Sequence, residues 1–76
     1  MSSSGSAQRL SVAVVGVGEM GRNHARCLAA MKGVNLIAVV DSDAARCHEV
    51  AARFECLPVT SISELPHVDA AIVAVP

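Results

Sequence analysis

The chain carries almost no excess charge: six Lys and Arg stand against seven Asp and Glu, for a formal net charge of -1 at pH 7. That balance gives no electrostatic footing for a nucleic-acid backbone or an anionic membrane surface. Cysteine is scarce and unpatterned, because Cys27, Cys47 and Cys56 are odd in number and show no Cys-x-x-Cys spacing. A disulfide framework and the common zinc and dithiol motifs are thereby excluded, and a reduced, cytoplasmic protein is expected. No uninterrupted apolar stretch approaches the roughly 18 residues that a membrane span requires. The polar lead from Met1 to Gln8 also lacks the apolar run of a signal peptide. His48 and His67 show no ligand spacing with a cysteine or an acid, so neither metal binding nor covalent catalysis by cysteine is indicated.

What is present is apolar: 53% of residues are hydrophobic and only 17% charged, the composition of a packed core. A flexible polar tail over residues 1–9 is expected to precede one folded unit over residues 10–76. Gly16-Val17-Gly18-Glu19-Met20-Gly21 follows the apolar run Val12 to Val15 and opens a helix-like stretch. Three glycines at that spacing each meet a different steric demand at a dinucleotide's pyrophosphate. Gly16 permits the tight turn, Gly18 lets backbone approach the phosphates, and Gly21 lets the helix pack close to the sheet. The free amides of the first helical turn then supply the anion site. Glu19 would repel a phosphate, so its side chain is expected to face solvent while its backbone serves the site.

Val34 to Val40 reads as a second buried strand, with Asp41 at its end, twenty residues after Gly21. A carboxylate there can accept hydrogen bonds from ribose hydroxyls, which completes a strand, helix, strand and acid unit. Asp41 favours NAD over NADP, since it would repel a 2′-phosphate, and neither Ser42 nor Asp43 supplies a cation. Arg46, one turn into the next helix, leaves NADP as the alternative. The candidate cofactor residues are therefore Gly16 to Gly21, Asp41 and the adjacent Ser42.

The first helix is expected from about Glu19 to Met31, with Met20, His24, Cys27, Leu28 and Met31 on one stripe, ended by Gly33. His24 on that stripe reads as a packing residue rather than a catalytic one. A second helix, capped by Ser42 or Asp43, places Ala44, Cys47, Val50, Ala51 and Phe54 inward and Arg46, Glu49 and Arg53 outward. Leu57-Pro58-Val59 is expected as an edge strand, because proline cannot donate to a central ladder. Ser61 to Glu64 matches a capping box for a short helix ending at Leu65, and Asp69 to Val75 reads as a fourth buried parallel strand. The fold expected is a partial Rossmann sheet, a doubly wound α/β arrangement of order 3-2-1-4 truncated after strand four. Right-handed crossovers place both main helices on one face, leaving a large apolar surface on the other. A fragment of a longer chain, or one that needs a partner, is the expectation.

From about Leu10 to Pro76 the chain resembles the N-terminal portion of the glucose-fructose oxidoreductase and inositol dehydrogenase family, Gfo/Idh/MocA. The resemblance rests on Val12 to Gly21, the following Asn23-His24-Ala25-Arg26, Val40-Asp41, and Val68-Asp69 through Val75-Pro76. It implies hydride transfer between a nicotinamide cofactor and a hydroxyl carbon of a sugar, cyclitol or sugar nucleotide. It also implies that Val75 and Pro76 approach the nicotinamide half. The family's catalytic lysine, in a Glu-Lys-Pro motif, and its catalytic histidine would lie beyond Pro76, so the chain alone is expected to be inactive and to hold no catalytic residue. The full-length protein is expected to be a homo-oligomer that binds no nucleic acid and no membrane. Two other functions share parts of the pattern: a non-catalytic NAD(H)-sensing module, and an S-adenosylmethionine methyltransferase, whose glycine pattern is usually shorter.

Overall fold

A computed structural model describes residues 9–74; the tail through Gln8, and Val75 with Pro76, lie outside the described residues. Strand β1 (Leu10–Val15) leads through the glycine turn into helix α1 (Glu19–Ala30), then β2 (Val34–Val40), α2 (Ala44–Phe54) and β3 (Leu57–Val59). A single 3-10 turn, Ile62–Glu64, precedes β4 (Ala70–Val73). All pairings are parallel and the strand order is β3-β2-β1-β4, as the sequence predicts. Pro58 sits on an edge strand, where its missing amide leaves no gap in a central ladder.

Both helices pack on one face, over a core of Val12, Val14, Val17, Ala25, Leu28, Leu36, Val39, Cys47, Val50 and Ala51. Val14, Val17, Val39 and Val50 are the largest apolar side chains removed fully from water, each contributing about 1.5 kcal/mol or more. One irregularity serves this arrangement. The β1–β2 register shifts between Val12 and Ala13, where Val12 faces Leu36 but Ala13 faces Ala38. The extra β2 residue changes the phase of alternation, so Leu36 and Val39 both reach the helix-side core.

The opposite face is narrower than expected. Ala13, Ala38, Val40 and Val59 are buried there, with Leu65 and Val68 from the segment before β4 packed on them. Small side chains and a returning segment close the middle of this face, so the broad apolar surface foreseen from helix placement shrinks to its margin. At that margin β4 is mostly exposed, with Val73 64% exposed, against the expectation of a buried strand. β4 is an edge strand among the described residues; it covers Ala70–Val73, leaving out Asp69 and Ala74 of the expected strand, whose last residue, Val75, lies outside the described residues.

The α1 stripe also differs from expectation. Met20 and Met31 are 67% and 53% exposed, Cys27 is exposed, and His24 is only half-buried; Leu28 alone of the expected set is buried. The inward face is instead Gly21, Ala25 and Leu28. Its phase is set by contact, not by residue size, because a Cβ on Gly21 would overlap the carbonyl oxygen of Gly16. Only small residues fit where the helix starts so close to the turn, which rotates the methionines outward.

Helix α2 begins with Asp43 as its cap, accepting the Arg46 amide at 3.1 Å, while Ser42 is exposed. Cys47, Val50 and Ala51 face inward as expected, but Ala44 is exposed. The helix ends in a left-handed Glu55 at φ 56, whose amide and that of Cys56 close onto carbonyls of the last turn. Before β4 no capping box forms: Ser61 Oγ lies 2.9 Å from Ser63 Oγ and makes no cap bond, and one 3-10 turn is all that follows.

Candidate functional site: a glycine turn and a buried aspartate

The carboxyl ends of β1 and β2 converge on the glycine turn. Gly16 adopts φ 88, a conformation that suits glycine, and its amide donates to the Val40 carbonyl at 2.7 Å. Val17 is fully buried and fixes the turn to the core. Gly18 caps α1 with extended backbone and no side-chain bond, so the amides of the first helical turn carry no side-chain acceptor. A Cβ on Gly18 would meet nothing within 4 Å. The turn is thus rigid on its Gly16 side and open on its Gly18 side, with the positive end of a 12-residue helix behind the opening. Glu19 and Met20 are exposed there, as foreseen for the Glu19 side chain.

Asp41 is 8% exposed and accepts from four donors. Oδ2 takes the Val17 amide at 2.9 Å and Arg46 Nε at 3.2 Å. Oδ1 takes the Asp43 amide at 2.9 Å and an Arg46 terminal nitrogen at 3.2 Å. Burial disfavours the charged carboxylate, but the Val17 and Asp43 amides and the Arg46 guanidinium together outweigh it and hold the carboxyl below its ordinary value. One side chain thereby ties the glycine turn, the end of β2 and the start of α2 into a unit. The outward placement expected for Arg46 is corrected here: its guanidinium folds back onto Asp41 in a two-point pair. The only sequence signal for this was an arginine within one turn of an N-cap and five residues after an acid.

The three cysteines are all free. Cys47 is fully buried with Sγ 3.3 Å from the Val59 carbonyl and 3.4 Å from that of Val39, and burial pushes the half-buried Cys56 thiol up to about 11. Cys47 packs in the core, and burial keeps the Cys56 thiol from being an activated thiolate, while Cys27 is exposed. Among the described residues no group of three or more His, Cys, Asp or Glu could hold a metal ion. No described helix is long and apolar enough to cross a membrane.

The fold and the turn have known counterparts. Residues 10–76 match the family model described as the oxidoreductase family, NAD-binding Rossmann fold. The chain belongs to the Gfo/Idh/MocA family. Comparison with curated protein sequences gave no match. Among solved structures, UDP-N-acetylglucosamine 3-dehydrogenase GnnA from Acidithiobacillus ferrooxidans is 38% identical with a TM-score of 0.81, over 90% of this chain and 22% of that one. GenD2 from gentamicin A biosynthesis, in complex with NAD, is also 38% identical, with a TM-score of 0.86 over 100% of this chain and 23% of that one. The WlbA dehydrogenase from Bordetella pertussis, in complex with NADH and UDP-GlcNAcA, shares the fold at a TM-score of 0.82 and 22% identity. This chain spans under a quarter of the length of each of these proteins. The family assigns the glycine pattern to NAD-binding oxidoreductases, which leaves the methyltransferase reading without support.

The donors present fit a dinucleotide. An open Gly18, uncapped amides at the start of α1 and an ionised acid at the end of β2 are what a pyrophosphate and a ribose require. Ser42 is exposed beside Asp41. Val75 and Pro76 lie outside the described residues.

Proposed function

We propose that this chain forms the cofactor-binding part of an NAD-dependent oxidoreductase that moves hydride between the nicotinamide and a hydroxyl carbon of a sugar, cyclitol or sugar nucleotide. The observation that carries the proposal is Asp41: a buried, ionised carboxylate bonded to the backbone of the glycine turn, at the position of a ribose acceptor. In this reading the amides from Gly18 to Gly21 receive the pyrophosphate, with Gly16 and Val17 holding the turn in shape. Asp41 and Ser42 meet the adenosine ribose, and Val75 and Pro76 stand toward the nicotinamide. Bound NAD supplies the hydride acceptor, while the residues of this chain orient it.

For Asp41 to accept ribose hydroxyls, Arg46 must release its carboxylate oxygens. That release is cheap, because the Arg46 side chain is 42% exposed and water screens the pair. The Val17 and Asp43 amides remain in place and keep the carboxylate aimed. The substrate class is supported by a 38%-identical neighbour named for its action on UDP-N-acetylglucosamine. The 76 residues contain no Glu-Lys-Pro motif; we place the groups that move the substrate proton elsewhere and expect no turnover from this chain alone. A cytoplasmic location and a homo-oligomeric full-length enzyme complete the proposal, the former in keeping with three free cysteines.

The test is a titration with NADH, NADPH and S-adenosylmethionine, read by calorimetry. NADH binding tightest supports the proposal, and equal or tighter NADPH binding rejects the NAD preference. Binding of S-adenosylmethionine with no NADH binding rejects the oxidoreductase reading itself. A second reading, a non-catalytic NAD(H) sensor, is favoured if the parent protein binds NADH yet carries no Glu-Lys-Pro after its next strand.

A further inference from the structure

One of the three free thiols stands directly beneath Asp41. Cys47, one turn into α2, is fully buried with its Sγ between two backbone carbonyls, 3.3 Å from that of Val59 in β3 and 3.4 Å from that of Val39 in β2. Val40 and Val59 form the last β2–β3 pair, and just beyond it the Asp41 amide donates to the same Val59 carbonyl at 3.1 Å. The thiol and the Asp41 amide therefore share one acceptor. Within its own helix the Cys47 amide donates to the Asp43 carbonyl at 2.9 Å, while the Asp43 amide holds Asp41 Oδ1 at 2.9 Å. Cys47 thus contacts both a group that fixes the Asp41 main chain and a residue that fixes its carboxylate.

The attachment that this thiol reinforces is otherwise slight. β3 has only three residues, and Pro58 at its centre has no amide to donate. A carbonyl oxygen accepts two hydrogen bonds, so the weak S–H donor adds to Val59 without displacing the Asp41 amide. Alanine or valine would also pack in this core, but neither carries a donor. We propose that Cys47 is a positioning residue of the cofactor site: its S–H, shared between the Val39 and Val59 carbonyls, ties α2 to the ends of β2 and β3 and sets the direction in which the Asp41 carboxylate meets the ribose. The inference rests on the reading of Asp41 as the ribose acceptor. Cys47 itself touches no cofactor and acts through Val59 and Asp43.

The test compares Cys47→Ala, which removes the donor, with Cys47→Ser, which keeps one, and with Ala51→Gly, which loosens the same buried helix face away from the strand ends. Circular dichroism checks that each variant is folded; should Cys47→Ala not fold, Cys47→Val, which fills the space without a donor, takes its place. In calorimetric titrations NADH affinity is expected to fall about fivefold or more in Cys47→Ala, and to stay within about twofold of the parent in Cys47→Ser and Ala51→Gly. Unchanged affinity in Cys47→Ala overturns the proposal, and so does an equal loss in Ala51→Gly, the mark of a merely structural role. A second readout needs no cofactor: the titration of the Asp41 carboxyl, followed by its carbon chemical shift. The charged groups beside it, Arg46 and Asp43, are the same in every variant. Loosening the Val17 and Asp43 amides in Cys47→Ala should therefore move the titration upward, toward the ordinary value, while Cys47→Ser leaves it in place. An unmoved titration in Cys47→Ala contradicts the proposal. If the parent binds no NADH, the cofactor reading falls, and the carboxyl titration still decides whether Cys47 positions Asp41.

Discussion

Two aspartates at opposite ends of the sheet use the same chemistry for different ends. Asp69, beside the start of β4, accepts the Ser11 amide at 2.8 Å and returns its own amide to the Ser11 carbonyl at 2.8 Å. It is exposed, and it serves to pin an edge strand to its neighbour. Asp41, at the carboxyl end of β2, also accepts backbone amides, but it is buried and joins three elements around an open glycine turn. A carboxylate on a strand terminus is therefore not by itself a ligand group. What distinguishes Asp41 is the free helix terminus beside it and a partner, Arg46, that solvent allows to leave.

The comparison breaks most severely at Gly21. Gly21→Val is expected to force α1 away from the Gly16 carbonyl, lowering stability by about 3 kcal/mol or more in urea unfolding and abolishing NADH binding. Next in size, Asp41→Ala is expected to weaken NADH by about 10- to 100-fold, the value of lost charge-assisted hydrogen bonds, and to weaken NADPH less. Asp69→Ala sharpens the contrast: a stability loss of about 1 kcal/mol with NADH affinity within twofold of the parent. An Asp69 variant that lost NADH binding while folded would erase the distinction between the two ends.

Acid titration gives a smaller, signed effect. The folded-state pKa of Asp41 lies below its ordinary 3.8, so its contribution is fully present above about pH 5 and is lost as pH falls through the folded value. Arg46→Met removes one of the groups that lower it, so acid unfolding followed by circular dichroism should begin at higher pH in that variant. Smallest of all, Glu55→Gly relieves a left-handed residue at the end of α2 and should raise stability by about 0.5 to 1 kcal/mol, with no change in NADH affinity.

Much of the site is legible in the sequence because it is built from backbone constraints that residue type exposes. Gly16 needs its positive φ, Gly21 its missing Cβ, and Pro58 its edge, and each is visible as a letter. The phase of α1 is not, since Met20 and Met31 satisfy a helical period yet lose to small residues once the helix is pressed against the turn. Arg46 was misplaced for a related reason: periodicity puts it outward, and only the neighbouring acid across the strand end draws it back. The opposite face was overestimated because Ala13 and Ala38 count as apolar in a pattern but offer little area to cover.

The central claim is that the Gly16–Gly21 turn and Asp41 form one dinucleotide site. The most direct measurement is an NADH titration followed by amide chemical shifts across the chain. The account predicts saturable shifts centred on Val17 to Gly21 and on Asp41 to Asp43, largely lost in Asp41→Asn. Saturable shifts confined to other residues, or none at NADH concentrations that saturate the parent enzyme, would contradict it.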